Sequence, residues 1–113
     1  MMAYDEDLAE RIRELLADDR GLTEKNMFGG LAFLIGGNVA VAASGQGGIV
    51  VRVDPATTDK LIATTDARPF EMRGRAVEGW LRVGAGHLQT KRQLSKWVEM
   101  GTRYARSLSK RRR

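Results

Sequence analysis

The sequence predicts an α+β domain: an antiparallel sheet of about five strands with packed helices, in the order α-β-β-β-α-β-β-α. Three observations carry the prediction. Apolar segments at 31–35, 39–43 and 49–53 follow one another across short glycine-rich gaps, which leave no room for crossover helices. Helical periodicity is confined to the two ends of the chain and to one short piece between strands. Asp54-Pro55 places an acid and a proline where a helix begins, so it separates the first group of strands from the second.

Taken in order, the first helix is expected over 5–19. Asp5 caps it, and Glu6 and Asp7 suit the positive end of the helix dipole. Leu8, Ile12, Leu15 and Leu16 form one apolar stripe, Asp7 and Arg11 are spaced as an i,i+4 ion pair, and Gly21 is placed as a left-handed cap. Strand character opens at Thr23–Phe28 and continues through Leu31–Ile35. Gly36-Gly37-Asn38 turns the chain into Val39–Ala43, and Gly45-Gln46-Gly47-Gly48 turns it into Ile49–Val53. A short helix is expected over 55–65. Arg68-Pro69 then forces extended backbone. Two strands, 70–72 and 77–83, flank Arg73-Gly74-Arg75, with Val77, Leu81 and Val83 on one face and Trp80 and Arg82 on the other.

Thr90 and Gln93 form a capping box for the last helix. Leu94, Trp97, Val98, Gly101, Tyr104, Ala105 and Leu108 cluster on one side of it. Arg92, Lys96, Glu99, Arg103, Arg106 and Lys110 cluster on the other. Gly101 costs about 1 kcal/mol of helix propensity, so its place in the apolar stripe points to close backbone packing. Residues 1–108 read as a single domain and 109–113 as a basic tail.

Composition narrows the function. The 113 residues include no cysteine and one histidine, which excludes disulfides, thiolate metal sites and histidine clusters. No apolar run approaches the roughly 20 residues of a membrane span, and the acidic start is unlike a signal peptide. A cytoplasmic protein is expected. Charge is uneven: residues 1–19 hold seven acids against two bases, and residues 91–113 hold nine bases against one acid, Glu99. The net charge is +5.

The segment TEKNMFGGLAFLIGGN at Thr23–Asn38 resembles the N-terminal domain of the TfoX/Sxy family of competence regulators. Tyr4-Asp5-Glu6, Leu8-Ala9 and Arg11-Ile12-Arg13 resemble the family's opening helix. Met27-Phe28-Gly29-Gly30 with Ala32-Phe33 resembles its signature turn. Arg68-Pro69-Phe70, Gly74-Arg75 and Gly79-Trp80 resemble its second strand pair, and Leu94 with Trp97-Val98 its closing helix. The resemblance implies an α+β fold similar to the secretion-chaperone type, in which dimers are frequent. It also implies a link to transcription of DNA-uptake genes, which two-domain members activate together with a cyclic-AMP-dependent activator. Those members add a C-terminal helical domain, and this chain is expected to be the stand-alone form. No catalytic, cofactor or metal residues are implied.

The residues agree with a chain lacking a catalytic constellation. Met27-Phe28-Gly29-Gly30 is read as core packing with a glycine bulge. Gly45–Gly48 and Gly84–Gly86 lack the GxxxxGK[ST] pattern of a phosphate loop. His87 has no acid near it in sequence and is read as a surface or helix-entry residue. Arg73 and Arg75 suit phosphate at a turn but equally suit solvent. Arg52, Arg68 and Arg82 lie in or beside strands, where at least one is expected to pair with an internal acid.

The expected function is a small non-enzymatic binding module, an accessory regulator acting through protein contacts. The alternative is sequence-nonspecific nucleic-acid binding through Arg92, Lys96, Arg103, Arg106, Lys110, Arg111, Arg112 and Arg113, although this stripe has no aromatic platform. An enzyme of unknown type is the third reading. Finally, the central strands are apolar on both faces, so either helices cover both or a second copy covers one. A homodimer is expected, with a sheet face or edge in its two-fold interface.

Overall fold

Asp5 starts the first helix as expected: its carboxylate accepts from the Leu8 amide at 3.2 Å. In the computed structural model, which describes residues 4–27 and 29–111 and only the backbone of 109–111, this helix is α1, Glu6–Leu15. It stops short of Asp19, and its last turn closes at Leu16 with ordinary negative φ. Gly21 is therefore no left-handed cap. It lies against Gly36, whose amide donates to the Gly21 carbonyl at 3.1 Å.

Six strands follow, not about five. They are β1 (Leu22–Met27), β2 (Gly30–Ile35), β3 (Asn38–Ala43), β4 (Ile49–Arg52), β5 (Arg68–Met72) and β6 (Arg75–Val83). β1 is a separate polar strand, and its exposed Thr23, Glu24, Lys25 and Asn26 carry no apolar alternation to announce it. A 3-10 turn (Pro55–Thr57) and α2 (Thr58–Thr64) lie between β4 and β5. A second 3-10 turn (Ala85–His87) precedes α3 (Lys91–Arg111). The sheet order is β1-β2-β3-β4-β6-β5, antiparallel throughout. The α+β class stands as predicted, and the element order matches except for the added strand β1.

Two bulges correct the strand faces. On β3, Phe33 pairs with Val41 and Leu34 with Val39, so Ala40 is the extra residue. Ala40 and Val41 both enter the main core while Val39 faces the other side. On β6, Gly79 has φ +87°, a conformation that side chains avoid, and the β5 register shifts between Pro69 and Glu71. One added residue reverses the alternation. Val77 therefore joins Trp80 on the second face, while Leu81 and Val83 enter the main core.

The main core lies between the sheet and the helices. Phe33, Val41, Ile49, Val51, Leu81 and Val83 meet Leu8, Ile12, Leu94 and Val98 there. Gly101 sits where a Cβ would collide with the Ala40 carbonyl, so the helix axis presses onto the β3 bulge, as the sequence suggested. Leu61 and Ile62 of α2 pack on the same core. The second face carries a smaller cluster made only of strand residues among those described. Phe70, Trp80, Leu34, Val39, Val77 and Met27 crowd around Ala32, Ala42 and Val50. Among the described residues, helices do not cover both faces: the apolar residues that α1, α2 and α3 bury all join the main core.

Candidate functional site

The outer face of α3 follows from its capping box. The Thr90 amide donates to Gln93 Oε1 at 3.0 Å, and the Gln93 amide donates to Thr90 Oγ1 at 3.1 Å. That start fixes the rotation of the helix. Leu94, Trp97, Val98, Gly101, Thr102 and Ala105 are buried, and Arg92, Lys96, Glu99, Arg103 and Arg106 are exposed in one stripe. Tyr104 and Leu108 are only half-buried, a departure from the predicted apolar side, because the last turns of α3 run to the margin of the core.

The predicted cations are not equivalent. Arg106 forms an ion pair with Asp19, which ties α3 to the chain just after α1. The Lys96 ammonium lies 5.5 Å from the Trp97 ring centroid. Arg92 and Arg103 form no ion pair among the described residues. The side chains of Lys110 and Arg111, and Arg112 and Arg113 altogether, lie outside the described residues. Beside the stripe, a groove of about 550 Å³ runs between α1 and α3, lined by Leu15, Leu16, Asp19, Thr102 and Arg106 among others.

The signature residues hold structure. Met27 ends β1 opposite Gly30 and packs on the second cluster. Gly29 has φ +70°, and Gly30 is buried against the Ala43 carbonyl. Phe28 lies outside the described residues. Gly79 forms the β6 bulge and donates its amide to Thr58 Oγ1 at 2.8 Å. Trp80 stands half-exposed on the second face, and Trp97 is 4% exposed in the main core.

The second face also carries three arginines that the sequence reading left without a common role. Arg52 ends β4 opposite Trp80, and Arg82 lies opposite Val50 on one side and Arg68 on the other. None of the three pairs with an acid among the described residues, contrary to the internal ion pair expected. The Arg52 guanidinium is held by rings: its carbon lies 5.1 Å from the Trp80 centroid and 5.8 Å from that of Tyr104. Arg82 Nη2 reaches the other way and donates to Ser44 Oγ at 3.3 Å. Arg52 and Arg82 are both half-buried. Their alignment depends on the register of β4, β5 and β6 and on the Gly79 bulge. The signal available in sequence was three arginines placed in or beside strands.

The remaining candidates are simpler. His87 ends the second 3-10 turn with its Nδ1 3.4 Å from Asp66 Oδ2, an acid distant in sequence. Both side chains are half exposed or more, and the hollow beside them is an open 230 Å³. Arg73 occupies the left-handed region at φ +53°, at the tip of the β5–β6 hairpin. Arg11 does not pair with Asp7; its Nη2 donates to the Leu88 carbonyl at 2.7 Å. Arg13 grips Glu24 with Nε at 2.7 Å and Nη2 at 2.9 Å. That charge-assisted pair holds the Glu24 carboxyl below its ordinary pKa and raises that of Arg13. No group of three or more His, Asp or Glu among the described residues is placed to hold a metal ion. No helix among them is long and apolar enough to cross a membrane.

The geometry therefore defines a small α+β domain whose distinguishing features are charged surfaces, one on a helix and one on a sheet. The family model of the TfoX N-terminal domain matches residues 14–105, from the end of α1 through the whole sheet and into α3. The chain belongs to the TfoX N-terminal domain family. No curated protein matches it.

Proposed function

We propose that this chain is a small binding module, not an enzyme, that works in the cytoplasm as an accessory regulator of the competence type through contacts with a protein partner. Its membership of the TfoX N-terminal domain family carries the reading. The open setting of His87 and Asp66 supports it from the side of chemistry, since a general base works beside an oriented substrate in a water-limited site. The test is capture of a partner by the tagged full chain, followed by rebuilding the complex from purified components. A stoichiometric complex is expected. Failure to rebuild one, together with steady turnover of any compound in a metabolite panel, overturns the reading.

A second reading has its own observation. Arg92 and Arg103 project from the exposed stripe of α3 without ion pairs among the described residues. Phosphate contacts from such a stripe give salt-dependent binding without sequence preference. A mobility-shift assay on duplex DNA at low salt tests it, and absence of a shift dismisses it. Self-association through a sheet face or edge completes the partner reading, and light scattering at micromolar concentration gives one-chain or two-chain mass.

A further inference from the structure

Arg68 and Arg82 stand directly opposite one another on β5 and β6. Side chains at directly opposed positions start roughly 5 Å apart, and like charges there repel. Arg52 is the diagonal neighbour of Arg82 across β4 and β6. Two of these three arginines are half-buried, and none is neutralised by an acid among the described residues. A row of unneutralised cations costs folding free energy that an anion would recover.

The row does not converge on a point. Arg52 extends towards Tyr104, and Arg82 extends towards Ser44 at the turn between β3 and β4. A small anion would meet one guanidinium at a time, whereas a linear polyanion would meet all three. Between the cations stands the half-exposed indole of Trp80, which follows Arg52 across the ladder and precedes Arg82 along β6. Cations interleaved with an aromatic side chain on an open sheet suit a chain of phosphates bearing flat bases. An acidic peptide would satisfy the charges but has no use for the ring. A second copy laid with its arginine row against this one would meet like charge, which leaves the sheet edge for the self-association proposed above.

The geometry points to the second sheet face as a binding site for single-stranded nucleic acid, with Arg52, Arg68 and Arg82 contacting successive phosphates beside the half-exposed ring of Trp80, which already meets Arg52 and Phe70. The site is separate from the α3 stripe and does not depend on the protein-contact reading.

The test is fluorescence anisotropy of the full chain with a labelled oligothymidylate of about 20 nucleotides, longer than the roughly 4–16 that a single OB-type domain covers. Binding is expected at low salt, with a change in tryptophan emission. Replacing Arg52, Arg68 and Arg82 by Gln should flatten the log–log salt slope by about 2, since each lost contact to a single strand removes about 0.7. Replacing Arg92, Lys96 and Arg103 by Gln, in the α3 stripe of the second reading, should flatten the slope less than the sheet variant does. If the triple sheet variant fails to fold, Arg68→Gln alone, at an exposed residue, should still reduce the slope by about 0.7. The inference is overturned if the oligonucleotide does not bind. It is also overturned if only the α3 variant loses binding, if polyglutamate binds in its place, or if the chain is a two-chain particle whose Trp80 is shielded and which ignores the oligonucleotide.

Discussion

Arg11 on α1 and Leu88 before α3 are joined by a hydrogen bond of 2.7 Å from the guanidinium to the backbone carbonyl. The two residues are 77 positions apart, so the bond fastens the start of the chain to the entry of its last helix. The same Nη2 lies 3.4 Å from the Thr90 carbonyl, at the residue that caps α3. Hydrogen bonds from charged groups contribute roughly 1.5–3 kcal/mol. Arg11→Met keeps most of the aliphatic stem and removes the donor, so it should cost about 1–2 kcal/mol in urea denaturation. Arg11→Lys, with one compact donor group, should recover part of the loss. If Asp7 were the true partner, Asp7→Asn would match Arg11→Met; it is expected to be nearly neutral.

Gly101 separates propensity from packing. Helix propensity alone favours Gly101→Ala by about 1 kcal/mol. The added Cβ, however, would strike the carbonyl oxygen of Ala40 and crowd Val51 at 3.0 Å. Backbone cannot swing aside as a side-chain tip can, so overpacking should dominate and cost at least about 1–3 kcal/mol. Chemical denaturation decides the sign. A stabilised Gly101→Ala would mean that α3 rides higher on the sheet.

Trp97 is the large aromatic anchor of the same contact. It is 4% exposed among core residues that include Leu94 and Val98. Trp97→Ala should cost about 3–5 kcal/mol, the range for truncating a buried aromatic side chain. A loss below about 1 kcal/mol would show that the indole packs outside the core.

Much of this architecture was legible because local chemistry and fold agree. The capping box at Thr90 and Gln93, the acid-proline start at Asp54-Pro55 and the glycine turns each operate over three or four residues, so sequence spacing alone reveals them. What escaped was non-local. β1 looked like the lead-in to the next strand because its residues are polar and face solvent at a sheet edge. Val77 was placed on the wrong face because the bulge at Gly79 reverses the alternation, and Gly79 meets partners far away in sequence: its carbonyl accepts from the Val53 amide and a Cβ there would crowd Pro55. The α3 stripe could be read from one helix. The row of Arg52, Arg82 and Arg68 could not, since it exists only once β4, β6 and β5 are in register.

The bond between Arg13 and Glu24 gives a pH dependence with a definite sign. Hydrogen bonding by the guanidinium lowers the Glu24 pKa in the folded chain. In the unfolded chain the carboxyl titrates near its ordinary value of about 4.3. The pair's contribution is therefore complete above about pH 4.3 and fades as the pH falls through the lower folded value. Arg13 stays charged throughout. With the side chains 39% and 32% exposed, solvent screening limits the contribution to about 1 kcal/mol. Denaturation of wild type and Glu24→Gln should differ by up to that amount at neutral pH and converge in acid. A difference that grows as the pH drops would contradict the assignment.

The hairpin between β5 and β6 contains the last test. Met72 pairs with Arg75, leaving Arg73 and Gly74 as a two-residue turn with φ of +53° and +80°. Two positive φ values in a two-residue hairpin are the signature of a type I′ turn, which prefers Asn followed by Gly. Gly74 meets the second requirement. Arg73 does not, and it is the one non-glycine residue at positive φ among those described. A left-handed conformation costs a residue with an ordinary side chain roughly 1–2 kcal/mol, and Asn adopts it more readily. Arg73→Asn should therefore raise stability, by about 0.5–1 kcal/mol after allowing for incomplete relief. Arg73→Gly should gain less, because glycine also makes the unfolded chain more flexible. Melting temperatures of the three proteins give the order directly. A destabilised Arg73→Asn would show that the guanidinium makes a contact worth more than the strain.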